Sequence, residues 1–192
     1  HIATVSVRQG ASGSIGRYSC VADTLARYDS RHHYGILTQF VKVYGSGSFS
    51  FRKSDHMHAY GLSKEISRVS VLFGSTSPGF AMTLRCDTLV RTEVLDSAIA
   101  GTSIVSWRLP DNVERGTITF KGTGEIYGIM LDGPGGIAVD NQAVRGCAGD
   151  IFTRIDSTVM ADNMRLAGTR LIILQYGGNA MPGIGSAQAI SR

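Results

Sequence analysis

The sequence predicts a mixed α and β protein: an antiparallel β-sandwich of jelly-roll size, followed by part of an α/β unit. Three observations carry this. Between Tyr34 and Leu131, short β-branched or aromatic runs recur with Gly, Ser, Pro and Asp/Asn turns between them and no amphipathic helix. After residue 132 the period changes, and Ile151, Phe152, Ile155 and Val159 fall on one helical face. The run Leu171–Leu174 then reads as a strand buried on both faces and stops at Gly177-Gly178-Asn179.

Taken in order, Thr4–Arg8 alternates like a strand, and Gly10–Gly16 reads as a flexible turn. Ala22–Tyr28 suits one or two helical turns, and Asp29–His33 reads as a polar loop. Strands are expected at Ile36–Tyr44, Ser48–Arg52, Ile66–Phe73, Phe80–Arg85, Thr102–Leu109, Gly116–Lys121 and Glu125–Leu131. Gly45-Ser46-Gly47 and Lys121–Gly124 have the composition of hairpin turns. Ile137–Val139 reads as a short buried strand, and Asp150 as the N-cap of a helix running to about Ala167, with Gly168 as its stop. Strand, helix and strand make a βαβ unit whose sheet is incomplete within the chain. The expected domains are 1–131, a β-sandwich with an irregular start, and 132–192, a partial α/β segment.

Composition bounds the partners. The 192 residues suffice for a real core, and hydrophobic residues make up 43%. No apolar run approaches the roughly 20 residues of a membrane span. The net charge of +4 comes from singly scattered Lys and Arg, without the basic runs or basic/aromatic alternation of a nucleic-acid surface. Cys20, Cys86 and Cys147 lack the spacing of a zinc site, while one disulfide plus a free thiol, or three buried thiols, both remain open. No cofactor or metal is expected; His56 and His58 have i,i+2 spacing but no third ligand in view. The start shows no signal peptide and no initiator Met, so a processed or truncated product is expected.

Two Gly-rich turns carry the candidate chemistry. In VDNQAVRGCAGD, Gly146 precedes a helix, where free backbone N–H groups bind anions. In LIILQYGGNA, Asn179 stands at a strand end, where a side-chain amide donates to a developing oxyanion. Each has a plainer alternative as a turn residue.

Together the two stretches resemble the second and third conserved blocks of SGNH/GDSL-type hydrolases. The preceding run, from YGIL through GEIYGIMLDGPGGIAVDN, is similar to a β-domain inserted in two-domain members that resemble bacterial peptidoglycan or carbohydrate O-acetylesterases. The resemblance implies a three-layer SGNH-like domain after the sandwich, with Gly146 and Asn179 as oxyanion donors. It also implies an acylated polysaccharide or peptidoglycan as partner, and a periplasmic, cell-envelope or secreted location. It departs in two places. No Gly-Asp-Ser block is present, and no Asp-x-x-His block follows Asn179. Asp29–His32 and Asp55–His58 have that spacing in the wrong order, and Ser12 and Ser14 lack an evident base. The chain is therefore expected to depend on the remainder of a parent chain for nucleophile and base, and to be inactive alone. The alternative is a non-catalytic glycan-binding or structural β-sandwich, with Trp107, Tyr60, Phe80 and Tyr127 as aromatic candidates; for Trp107 a core role is favoured.

Overall fold

The computed structural model describes residues 7–21, 26–53, 65–140 and 149–175. Its strands are β1 (Val7–Ser19), β2 (Gln39–Lys53), β3 (Arg68–Gly74), β4 (Ala81–Cys86), β5 (Leu89–Val94), β6 (Thr102–Arg108) and β7 (Arg115–Asp132). They pair antiparallel in the order β1-β2-β7-β3-β6, with β4 also on β7 and β5 on β4. A single 3-10 turn at Asp150–Arg154 precedes helix α1 (Ser157–Leu166).

The spine is β7. One edge pairs with β2 along Arg115–Ile126, and the other takes β4 at Thr117–Lys121 and then β3 at Glu125–Asp132. Where β3 gives way to β4, Gly122 (φ 97°) of β7 faces Gly45 (φ 91°) of β2, and Gly13 (φ 106°) of β1 faces Gly47. A Cβ on Gly13 would lie 2.7 Å from the Gly47 Cα, so glycine is needed for the strands to approach there.

This row of glycines explains the first differences from the sequence reading. Gly45–Gly47 and Lys121–Gly124 are not hairpin turns; they lie inside two long strands whose ladder continues through them. Gly10–Gly16 is likewise strand, within β1. Local composition marks the unusual backbone but cannot distinguish a turn from a bend in a paired strand. The short β5, between Cys86 and β6, is a further strand beyond those expected.

Side chains alternate as the ladder requires. Val69, Val71 and Phe73 of β3 join Met82 and Leu84 of β4, Ile118 and Phe120 of β7 and Trp107 of β6 in one buried cluster. The other face of β3 is buried too: Leu72, with Tyr127, meets Cys20, Tyr34, Phe40, Ile151, Ile155 and Val159. The segment around Tyr34 and the 149–167 region thus form a layer over the outside of the sandwich, with α1 against β6.

The fold is a jelly-roll-like antiparallel β-sandwich with one α-helix, and the expected three-layer α/β SGNH-like domain is not present among the described residues. Three differences in the later region account for this. The helix begins at Ser157 rather than Asp150, because Ile155 is extended (φ −108°, ψ 136°) and Asp156 restarts the chain as N-cap, accepting from the Val159 N–H at 2.9 Å. Ile137–Val139 is not a buried strand, and Ile137 is 93% exposed. Leu171–Leu174 forms no strand and its side chains are 54–79% exposed, since no neighbouring strand among the described residues completes its backbone hydrogen bonds or covers its faces. Gly168, at φ 72°, does end the helix.

Candidate functional site

Period-two alternation places Gly16 and Tyr18 of β1 on the same face as Phe40, Lys42 and Tyr44 of β2, with Tyr18 opposite Phe40 and Gly16 opposite Lys42. At one end this face is buried: the Tyr18 ring stacks on Phe40, with centroids 4.7 Å apart and planes 3° from parallel. At the other end it is open. The Tyr18 and Tyr44 hydroxyls meet at 2.5 Å, and Tyr44 is 38% exposed. Gly16 makes the meeting possible, because a Cβ there would stand 3.0 Å from the Tyr44 ring and 3.3 Å from that of Tyr18.

Two cations border the rings. The Lys42 ammonium lies 5.8 Å from the Tyr44 ring centroid. Arg27 runs beside β1, its N–H donating to the Arg17 carbonyl at 2.8 Å and its carbonyl accepting from Ser19 at 3.0 Å. The parallel bridge between Arg27 and Tyr18 sets both side chains on the same side, so the Arg27 charge stands by the two phenols. The Tyr44 hydroxyl pulls the Tyr18 phenol below its ordinary range, with Arg27 and Lys42 adding to the effect. Tyr44 is pushed up, chiefly by the same hydrogen bond. The pair therefore loses its first proton below the ordinary tyrosine range and holds the second above it, the retained proton lying in the bond between the two oxygens.

The segment carrying Arg27 is tied down by a buried carboxylate. Glu125, 0% exposed, accepts from the half-exposed Arg31 guanidinium and from the Tyr127 hydroxyl at 3.1 Å, with His33 Nδ1 3.6 Å away. Arg31 also pairs with Asp29 at 3.2 Å, and the Asp29 carboxylate accepts the His33 N–H at 3.1 Å. Farther along, His32 Nδ1 is 2.9 Å from the Arg154 carbonyl, and the His32 carbonyl accepts from Asp156 N–H at 2.8 Å. Burial, aided by the Glu125 charge, pushes the Tyr127 phenol far up. Acid and base residue types gather here, but the Glu125 oxygens are sealed from solvent and engaged. The cluster works as an anchor, not as a reaction site.

The structure disperses several residues singled out from sequence. Trp107 is 4% exposed, Phe80 0% and Tyr127 3%, so their rings belong to the interior. Ser12 bonds to Ser48 at 2.9 Å across the β1–β2 ladder. Asp29 and His32 do not form an acid–base couple through their side chains, since each serves other partners. Gly146, Asn179, Tyr60, Cys147, His56 and His58 lie outside the described residues. Cys20 and Cys86 are both buried, and the Cys20 thiol donates to the Thr38 carbonyl at 3.3 Å. Among the described residues no group of three His, Cys, Asp or Glu side chains is placed to hold a metal, and no helix is long and apolar enough to cross a membrane.

Sequence reasoning missed Tyr18, Tyr44, Arg27 and Lys42. The signal existed in Phe40-x-Lys42-x-Tyr44 and Gly16-x-Tyr18, two alternating runs of matching parity. It was hidden by reading Gly10–Gly16 as a turn, which removed the strand that sets the register.

No protein-family model matches the chain, and no curated protein matches it. Among solved structures it is similar to CsCBM6-3 from Clostridium stercorarium in complex with cellobiose, at 12% identity and TM-score 0.40, covering 67% of this chain and 93% of that one. It is similar to TmCBM61 in complex with β-1,4-galactotriose at 11% identity and TM-score 0.38, covering 66% and 88%. A peptidoglycan O-acetylesterase matches at 16% identity and TM-score 0.44, over 85% of this chain and 39% of that one. At these identities and scores the likeness assigns neither ligand nor activity to this chain.

Proposed function

We propose that the chain is a glycan-binding β-sandwich module that takes its ligand on the Tyr18–Tyr44 face. The observation that carries this reading is an exposed tyrosine on a sheet surface, its hydroxyl tied to a second tyrosine and bordered by Lys42 and Arg27. Sugars offer both a C–H face for an aromatic ring and hydroxyls for hydrogen bonding, and this patch supplies partners for each. The patch is pre-organised by Gly16 and by the ladder, so little side-chain order remains to be imposed on binding.

Calorimetry of the chain against soluble oligosaccharides tests the reading. Tyr44→Ala is expected to weaken binding about tenfold, the equivalent of one lost aromatic contact near 1.4 kcal/mol. Undiminished binding by a folded Tyr44→Ala variant would remove the face from consideration.

A second reading is that the chain supplies oxyanion donors, the Gly146 N–H and the Asn179 amide, to an ester hydrolase acting on O-acetylated polysaccharide. Two observations support it: α1 lies between the two Gly-rich blocks, and four consecutive apolar side chains stand exposed just before Asn179. It predicts no acetyl-ester turnover by this chain alone. In the longer protein it requires, Asn179→Ala should lower kcat about 100- to 1,000-fold with substrate binding intact.

A further inference from the structure

We propose that the Tyr18–Tyr44 face selects a sugar bearing a carboxylate, with Arg27 and Lys42 reading its charge. This rests on the glycan reading above and narrows it.

The patch is complementary in charge to a carboxylate. Arg31, Lys53, Arg68, Arg154 and Arg165 each meet a carboxylate of the protein. Arg27 and Lys42 make no such pair among the described residues; Lys42 lies over the Tyr44 ring, and the backbone bridge to Tyr18 brings Arg27 to the same pair of tyrosines. A guanidinium has five N–H donors in a planar fork, more than the two neighbouring tyrosine hydroxyls can engage, which leaves part of that fork for an anion. The geometry of the fork matches a carboxylate through paired parallel hydrogen bonds. Lys42 contributes a second positive charge beside the Tyr44 ring. A neutral sugar would use the ring and leave both charges to solvent, whereas an acidic sugar uses both. The two cations are on opposite sequence segments, β2 and the strand-flanking 26–28 stretch, so their convergence depends on the β1–β2 register and on the Tyr18–Arg27 bridge.

Because the patch is open to water, the charge contribution is screened by salt with a length of about 8–10 Å at physiological ionic strength. A preference for acid sugars should therefore be largest at low salt and shrink as salt rises, while the aromatic share of binding stays.

The test is calorimetry and array binding of the 192-residue chain against matched oligosaccharides on gluco-, galacto- and manno-backbones, each as neutral sugar, uronic acid, uronate methyl ester and sulfated form. The expected result is that at least one uronic acid binds about tenfold or more tightly than its methyl ester at low salt. Arg27→Gln with Lys42→Gln should abolish that preference, bringing the affinity for the acid to that for the ester in the same variant, and Arg27→Lys should restore part of it. Equal binding of acid and ester on every backbone overturns this inference and leaves the glycan reading standing. So does a preference that survives the double substitution. Sulfated forms binding as tightly as the acids would overturn carboxylate selection in favour of charge alone. Binding to no member of the array overturns the glycan reading itself.

Discussion

Tyr18 and Tyr44 bring their hydroxyls to 2.5 Å across the β1–β2 ladder, over a backbone left bare by Gly16. One shared hydrogen bond couples the two phenols, so the first to ionise is held below the ordinary tyrosine range and the other above it. Tyr44→Phe removes the donor that steadies the Tyr18 phenolate. The expected outcome is a rise in the lowest tyrosine titration midpoint, read from phenolate absorbance. Tyr18→Phe should erase that early step altogether. A first midpoint unmoved by both substitutions would show that the hydroxyls do not interact in solution.

Glu125 is a wholly buried carboxylate whose charge is met mainly by Arg31. Removing one partner of a buried pair leaves an uncompensated charge and commonly costs about 3–5 kcal/mol. Arg31 is itself partly open to water, which favours the lower end. Arg31→Ala should thus lower unfolding stability by about 3 kcal/mol, measured by denaturant titration. It should also loosen the segment that delivers Arg27, so acidic-sugar binding falls further than neutral-sugar binding. Loss of stability under 1 kcal/mol, on the scale of an ordinary surface pair, would mean that water reaches Glu125 readily.

Much of the sandwich was legible in the sequence because its signals are local. Phe80–Arg85 and Thr102–Leu109 alternate, and the structure places strands within a residue or so of each. The fusion of two expected strands into β7 was not legible, since Gly122 and Gly124 look the same in a hairpin and in a bent ladder. Nor was the anchor: Arg31 and Glu125 are 94 positions apart, and nothing local says that a loop arginine will meet a buried glutamate. The later region failed for a different reason. The apolar character of Leu171–Leu174 is real, but a strand exists only with neighbours to pair with, and periodicity does not report those.

Gly74 tests how tightly β3 leaves the sheet. A Cβ there would lie 2.5 Å from the Gly101 carbonyl oxygen and 3.0–3.1 Å from the Tyr127 ring edge and hydroxyl. A backbone carbonyl cannot swing aside like a side-chain end, and Tyr127 is held by Glu125. Gly74→Ala is expected to cost about 3 kcal/mol, at the upper end of overpacking penalties. Gly101→Ala, which meets nothing within 4 Å, is the control and should change stability by less than about 0.5 kcal/mol. Equal effects of the two would show that the β3 exit relaxes freely.

Cys86 sets an alkaline limit on stability. Its thiol is 1% exposed, and burial, with a smaller push from Asp87, raises it from 9.0 to about 11. The folded state thus holds the proton more tightly than the unfolded chain does. Below pH 9 both states are protonated and the contribution is fully present; between pH 9 and about 11 the unfolded chain loses its proton first, so stability falls as pH rises. The sign is opposite to that of a salt-bridged carboxylate, which loses stability as pH falls. Two units correspond to roughly 2–3 kcal/mol. Tyr127, pushed up in the same direction by burial, prolongs the decline at still higher pH. Cys86→Ala opens a small cavity and lowers stability at neutral pH, so the diagnostic quantity is the slope and not the level. Chemical unfolding at several pH values from 7.5 to 11 should show a shallower fall for the variant than for the parent chain. Parallel curves would mean that the thiol ionises in the folded state as easily as in the unfolded one, and that the β4–β7 interior around Gly116 admits water.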